Sequence, residues 1–198
     1  TAVFSFEKAL KGFHIVKTEY TIIKDEEGNE VTKEYDGNGG AVYNNGDFNM
    51  YGGIIRNNNV RSGGAVYLTE LGVSEAKHPI FNMSGGMITG CHVDNAVSMG
   101  SAVLIRAYGE MNMSGGLITE CKANDGWDQA SVIMLTKRAN FNMSGGIITK
   151  NIMEGYGPVY IHTNTVWNMT GGEISNRKGV NIPNVHLDFP YLSDRDME

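Results

Sequence analysis

The chain has 198 residues, 41% of them apolar and 19% charged, with 26 glycines, 4 prolines and 2 cysteines. This composition fits one globular or solenoid domain and excludes a disordered tract or a disulfide scaffold. No apolar run reaches the ~18 residues of a membrane span, and a net charge of −6 argues against a basic nucleic-acid face, so neither membrane insertion nor nucleic-acid binding is expected.

No basic segment followed by an apolar stretch opens the chain, so a secretion leader is expected to have been removed or to lie outside this sequence. Residues 1–36 begin with a short amphipathic piece, FEKALKGF. A strand (FHIVKTEYTIIK), a polar turn (DEEGNE) and a second strand (VTKEY) follow it. This stretch predicts an N-terminal cap.

From residue 37 the chain repeats itself. FNMYGG at 48 returns as FNMSGG at 81, MNMSGG at 111, FNMSGG at 141 and WNMTGG at 167. The asparagines at 49, 82, 112, 142 and 168 lie at intervals of 33, 30, 30 and 26. A second signature runs between these copies: GGAVYN, GGAVYL, GSAVLI, ASVIML and GPVYI, starting at Gly39, Gly63, Gly100, Ala130 and Gly157. Each unit holds three short β-prone stretches (AVYL, FNM and MIT types), joined by Gly-Gly bends. Stacked in parallel register about 4.8 Å apart, such units form an all-β parallel β-helix of about five rungs over residues 37–178.

Equal phase then predicts columns. Phe48, Phe81, Met111, Phe141 and Trp167 point inward, as do Met50, Met83, Met113, Met143 and Met169. Ile55, Ile88, Ile118, Ile148 and Ile174 form a third inward stack, and Val42, Val66, Val103, Val132 and Val159 a fourth. Alternation puts Asn49, Asn82, Asn112, Asn142 and Asn168 outside, either as an amide ladder or as a flat binding array. Four of these fall in N-x-S/T acceptor patterns, at 82, 112, 142 and 168, which we read as a by-product of the repeat.

Cys91 and Cys121 share one phase with Asn58 and Asn151. Parallel Cβ vectors about 4.8 Å apart are wider than a relaxed disulfide, so free thiols are expected. His92 points to the opposite side of its strand from Cys91 and is not expected to serve as its base.

The residues after the core valines, Tyr43, Tyr67, Leu104, Ile133 and Tyr160, form an outward apolar stripe. It is either an interface or is covered by the loop 69–80 or by the N-terminal segment. The joints CHVDNAVSMG, CKANDGWDQA and NIMEGYGP vary between rungs and gather Asp94, Asp125, Trp127, Asp128, Glu154 and Tyr156, a mixture suited to sugar rings or a cation, or simply to solvent. Arg106, Lys137, Arg138 and His162 make a small basic cluster that reads as charge balance. The stretch 179–198 leaves the repeat, and Pro183 and Pro190 predict irregular or edge structure there.

GGAVY followed by FNMSGG-IT resembles the right-handed parallel β-helix repeats of bacterial surface adhesin-like proteins in the pectin-lyase-like superfamily. It is also similar to the repeats of chlamydial polymorphic outer-membrane proteins. The resemblance covers about residues 37–178. It implies an extracellular or cell-surface module that meets glycans or a host or cell-surface protein, or that associates end to end. Enzymes of this superfamily carry Asp, Lys and Arg clusters on a central strand, where this chain carries Asn and Ser. The expected role is non-catalytic, structural or adhesive, without metal or cofactor. The alternatives are a subunit of a self-assembling fibre and a polysaccharide lyase or hydrolase.

Overall fold

The computed structural model describes residues 13–15, 21–24, 30–33, 40–60, 63–68, 77–93, 99–123, 131–153, 157–175 and 185–187. Among them every regular element is a strand. From Val42 onward the strands fall into three stacked parallel sheets that the chain visits in turn, returning each time one place further along, which makes a parallel β-solenoid.

The first sheet stacks Val42–Asn44, Val66–Leu68, Val103–Ile105, Ile133–Leu135, Val159–Ile161 and Val185–Leu187. The second holds the NM[S/T]GG stretches. Two of its members, Glu110–Thr119 and Asn140–Thr149, run ten residues through the bend, and the others are split into two shorter strands on either side of it. The third is the narrowest, with two-residue strands at Asn59–Val60, His92–Val93, Lys122–Ala123 and Ile152–Met153. The solenoid makes about 3 turns, fewer than the five rungs expected from the five copies of the signature, because the first and last copies lie at its two ends.

The Gly-Gly bend has a steric cause at both positions. A Cβ on the first glycine would meet the carbonyl oxygen of the preceding turn: 2.4 Å from Ser84 O at Gly115, and 2.4 Å from Ser114 O at Gly145. The second glycine takes a left-handed φ of 87° at both Gly116 and Gly146, where a side chain is strained. Two further corners bend mostly through left-handed residues that carry side chains: Asn57, Glu120 and Lys150, with Gly90, at one, and Tyr108, the consecutive Lys137 and Arg138, and Asn164 at the other.

Inside, the expected columns stack in register. Phe48 and Phe81 lie face to face, centroids 5.0 Å apart, and Phe141 meets Trp167 edge-on at 5.2 Å. The methionine column is paired residue for residue from Met50 to Met169, and the isoleucine column from Ile55 to Ile174. Burial of these side chains supplies the main drive for the fold, about 1.5–3 kcal/mol for each large apolar side chain removed from water.

The valine column needs one correction. Val103 pairs with Ile133, not Val132, and Ile133 pairs with Val159. Matching letters aligned the first Val of ASVIML with Val103, whereas backbone register gives Val132 the place of Ala102. Both residues are buried in the core, Val132 at the bend and Ile133 on the strand.

At the N-terminal end, Phe13–Ile15 pairs antiparallel with Val42–Asn44, lying along the edge of the first sheet. Thr21–Lys24 and Glu30–Lys33 pair antiparallel, and residues 25–29 of the expected polar turn between them lie outside the described residues. The amphipathic piece before them lies outside the described residues. The C-terminal stretch does not wholly leave the solenoid. Val185–Leu187, between the two prolines, extends the first sheet by one more parallel strand, as an edge.

Candidate functional site

The outward face of the second sheet carries one continuous polar feature. Asn82 Nδ2 donates to Asn49 Oδ1 at 2.9 Å, Asn112 to Asn82 at 2.9 Å, Asn142 to Asn112 at 2.9 Å and Asn168 to Asn142 at 3.0 Å. Every link runs the same way, from one turn to the turn before it. Asn112 Nδ2 also donates to Glu110 Oε1 at 2.7 Å. The strand alternation that buries Met111 and Met113 turns Asn112 outward, and the register sets each amide over the next. Carboxamides do not titrate, so this ladder cannot move protons at neutral pH. It leaves each amide with hydrogen-bonding capacity toward solvent or a ligand.

Tyr43, Tyr67, Leu104, Met134 and Tyr160 form the column on the far side of the first sheet. Met134, not Ile133, is its fourth member, by the register shift described above. The stripe is not an exposed interface. Tyr67, Leu104, Met134 and Tyr160 are buried in a second apolar cluster, with Tyr43 and Met99 packed against it. Loop residues 69–76, one expected cover, lie outside the described residues.

Asp94, Asp125, Trp127, Asp128, Glu154 and Tyr156 also lie outside the described residues. The strands that lead into their segments, ending at Val93, Ala123 and Met153, stack in register. Of the basic cluster, Arg138 lies over the Tyr108 ring, 5.5 Å from its centroid, and donates to the Tyr108 hydroxyl. Arg106 Nη1 reaches Met99 Sδ at 3.7 Å, and His162 Nδ1 pairs with Thr163 Oγ1 at 3.0 Å. These contacts tie each of the three side chains to its own neighbourhood.

Beneath the corner formed by Asn57, Gly90, Glu120 and Lys150 runs the inward column Asn58, Cys91, Cys121, Asn151. Both cysteines are buried free thiols. Asn58 Nδ2 donates to Cys91 Sγ at 3.6 Å, and Cys121 N donates to Asn151 Oδ1 at 2.9 Å. The Cys121 thiol beside it draws Cys91 down from 9.0 to about 7 against the opposing effect of burial, while that same hydrogen bond and burial push the Cys121 thiol up. The pair therefore gives up its first proton readily and holds the second.

Asn44 was not among the residues expected to matter. It points inward, fully buried, where its neighbours in the column are Leu68 and Ile105. Its Nδ2 donates to Ile80 O and its Oδ1 accepts from Gly46 N, both at 3.0 Å, which satisfies the amide inside the core. The nearest signal was the N-N-G at 44–46, a turn pattern in which an Asn side chain bonds the backbone two residues on.

Among the described residues no three His, Cys, Asp or Glu side chains converge on a metal-sized site. Comparison with protein-family models, with curated proteins and with solved structures returned no match.

Proposed function

We propose that this chain is a non-catalytic extracellular or cell-surface β-solenoid module with a structural or adhesive role. The observation that carries this reading is the asparagine ladder. The most regular outward surface among the described residues is a run of five amides bonded to each other, a surface suited to persistence and to multipoint contact; the amides themselves do not titrate, and the Glu110 carboxylate beside them is engaged by Asn112. The resemblance of the GGAVY and FNMSGG signatures to adhesin-like repeats of the pectin-lyase-like superfamily supports the same assignment. The test is a panel of polysaccharides and cell surfaces, scored both for retention of the labelled chain and for reducing-end or unsaturated products. Retention without product is expected. Product that disappears in Asp125→Asn or Asp128→Asn would replace this reading with that of a polysaccharide-active enzyme.

A fibre subunit is the second reading, favoured by the difference between the two ends of the rod. Phe48 and Met50 of the first turn are buried, whereas Met169, in the same inward column as Met50, is 40% exposed in the last. The ladder is also directional, ending in the Oδ1 of Asn168 at one end and the Nδ2 of Asn49 at the other. Head-to-tail contacts of this kind build an open filament wherever their rotation does not close a ring. Negative-stain images of the native protein distinguish single rods from filaments.

A further inference from the structure

We propose that Cys91 and Cys121 form a buried two-coordinate site for a soft d10 cation that accepts linear sulfur ligation, copper(I) being the physiological example. The geometry comes from the solenoid itself. His92 pairs with Lys122 in parallel register, so the cysteines that precede them stand one above the other on adjacent turns, about 4.8 Å apart. Parallel Cβ atoms held at that spacing are wider apart than the ~3.8 Å of a relaxed disulfide, while the two thiols still interact directly, an arrangement that suits one metal atom shared between them. No third His, Cys, Asp or Glu joins them among the described residues, which disfavours zinc, with its four ligands, and leaves a cation content with two thiolates.

The surroundings suit the exchange of protons for metal. Cys91 Sγ now donates to Thr89 O at 3.4 Å and Cys121 Sγ to Thr119 O at 3.4 Å. Each of these carbonyls also accepts a backbone N–H, from Asn57 and Gly90 respectively, so neither is stranded when its thiol proton leaves. Asn58 Nδ2 already points a donor at Cys91 Sγ and would stabilise the thiolate. Binding is written as M⁺ + Cys91–SH + Cys121–SH → [Cys91–S–M–S–Cys121]⁻ + 2 H⁺. Two sulfur–metal bonds form, two S–H bonds break, and no electron changes hands. Entry runs through the third sheet. All of its described strands are only two residues long, and each cysteine lies one residue from the half-exposed Gly90 or the exposed Glu120.

Silver(I), which is redox-inert, is the probe. The reduced full chain is titrated with silver nitrate in chloride-free, weakly buffered solution, and bound metal and released protons are followed together. One silver per chain is expected. Protons should leave as silver is taken up at pH 6, because both sulfurs bind as thiolates. Cys91→Ser and Cys121→Ser, each checked for folding by circular dichroism, should each weaken binding at least ~100-fold. Silver taken up without proton release would mean that methionine sulfurs hold it and would overturn the proposal. So would a native chain that binds none, or undiminished uptake by a folded Cys121→Ser chain. Should the serine variants not fold, proton release by the unaltered chain decides.

Discussion

The methyl group of Met113 lies where a side chain on Gly146 would begin: a Cβ built on that glycine would stand 2.5 Å from Met113 Cε. The same relation joins Met83 to Gly116 and Met143 to Gly172. Each inward methionine therefore reaches the second glycine of the next turn's bend, and the repeat carries Met and Gly together because one packs onto the other. Thioether flexibility lets the chain end follow that concave corner, as a branched side chain would not.

The first prediction compares two glycines of the same type. Gly146→Ala combines a left-handed φ of 87° with the methionine clash and a backbone atom 2.9 Å away, whereas Gly53, at φ 83°, has open space beside it. Gly53→Ala should cost about 1 kcal/mol, from backbone strain alone, and Gly146→Ala about 3 kcal/mol or more. Urea unfolding of both variants measures this. Equal costs would show that the corner is shaped by backbone preference and not by packing.

Met113→Asp tests the inward assignment itself. Met113 is buried among Met83, Met143 and the isoleucine column, so a carboxylate there would have no partner. The cost should be ~4 kcal/mol or more, a large part of a typical domain's stability, and the variant should fail to accumulate as folded protein. Normal melting by circular dichroism would contradict the column.

The solenoid was legible because a parallel stack converts equal spacing in sequence into contact in space. Five copies of one hexapeptide announced the bend, its inward neighbours and the outward amides. What escaped lay where letters and phase disagree. Val132 looks like the partner of Val103, yet the strand register is counted from the preceding bend and puts Ile133 there. Val185–Leu187 carries neither signature and is flanked by prolines, so only its pairing with Val159–Ile161 reveals it as the next strand. The outward direction of the Tyr43 to Tyr160 column was readable from alternation. Its burial was not, because cover depends on how distant segments fold over it. The thiol pair was visible as a shared phase, but the Asn58 donor aimed at Cys91 is a matter of rotamers.

The ladder should weaken more when cut in its middle than at its end. Asn112 bonds both Asn82 and Asn142 as well as Glu110, while Asn168 bonds Asn142 alone and is exposed. Asn112→Ala should cost about 1–2 kcal/mol, and Asn168→Ala a few tenths, on the order expected for partly and fully solvated hydrogen bonds. Denaturant midpoints of the two variants give the comparison. Asn112→Asp should cost more than Asn112→Ala, through repulsion with Glu110, and raising the salt concentration should reduce only that excess.

Stability should also depend on pH through the thiols. Cys91, held near 7 in the fold against 9.0 when unfolded, stabilises in its ionised form. Below pH 7 both states keep its proton and the contribution is absent. It grows as pH rises from about 7 to 9, where the unfolded chain still binds the proton that the folded chain has lost. Cys121 acts in the opposite sense. Its folded pKa lies above 9.0, so above pH 9 the unfolded chain ionises first and stability falls again. The cysteine contribution should therefore peak near pH 9. The difference in urea midpoint between the parent chain and a Cys91→Ala, Cys121→Ala double variant isolates it from every other titrating group. A difference that stays flat from pH 6 to 10 would mean that the two thiols do not share a proton. A maximum near pH 9 would show that the fold lowers one thiol and raises the other.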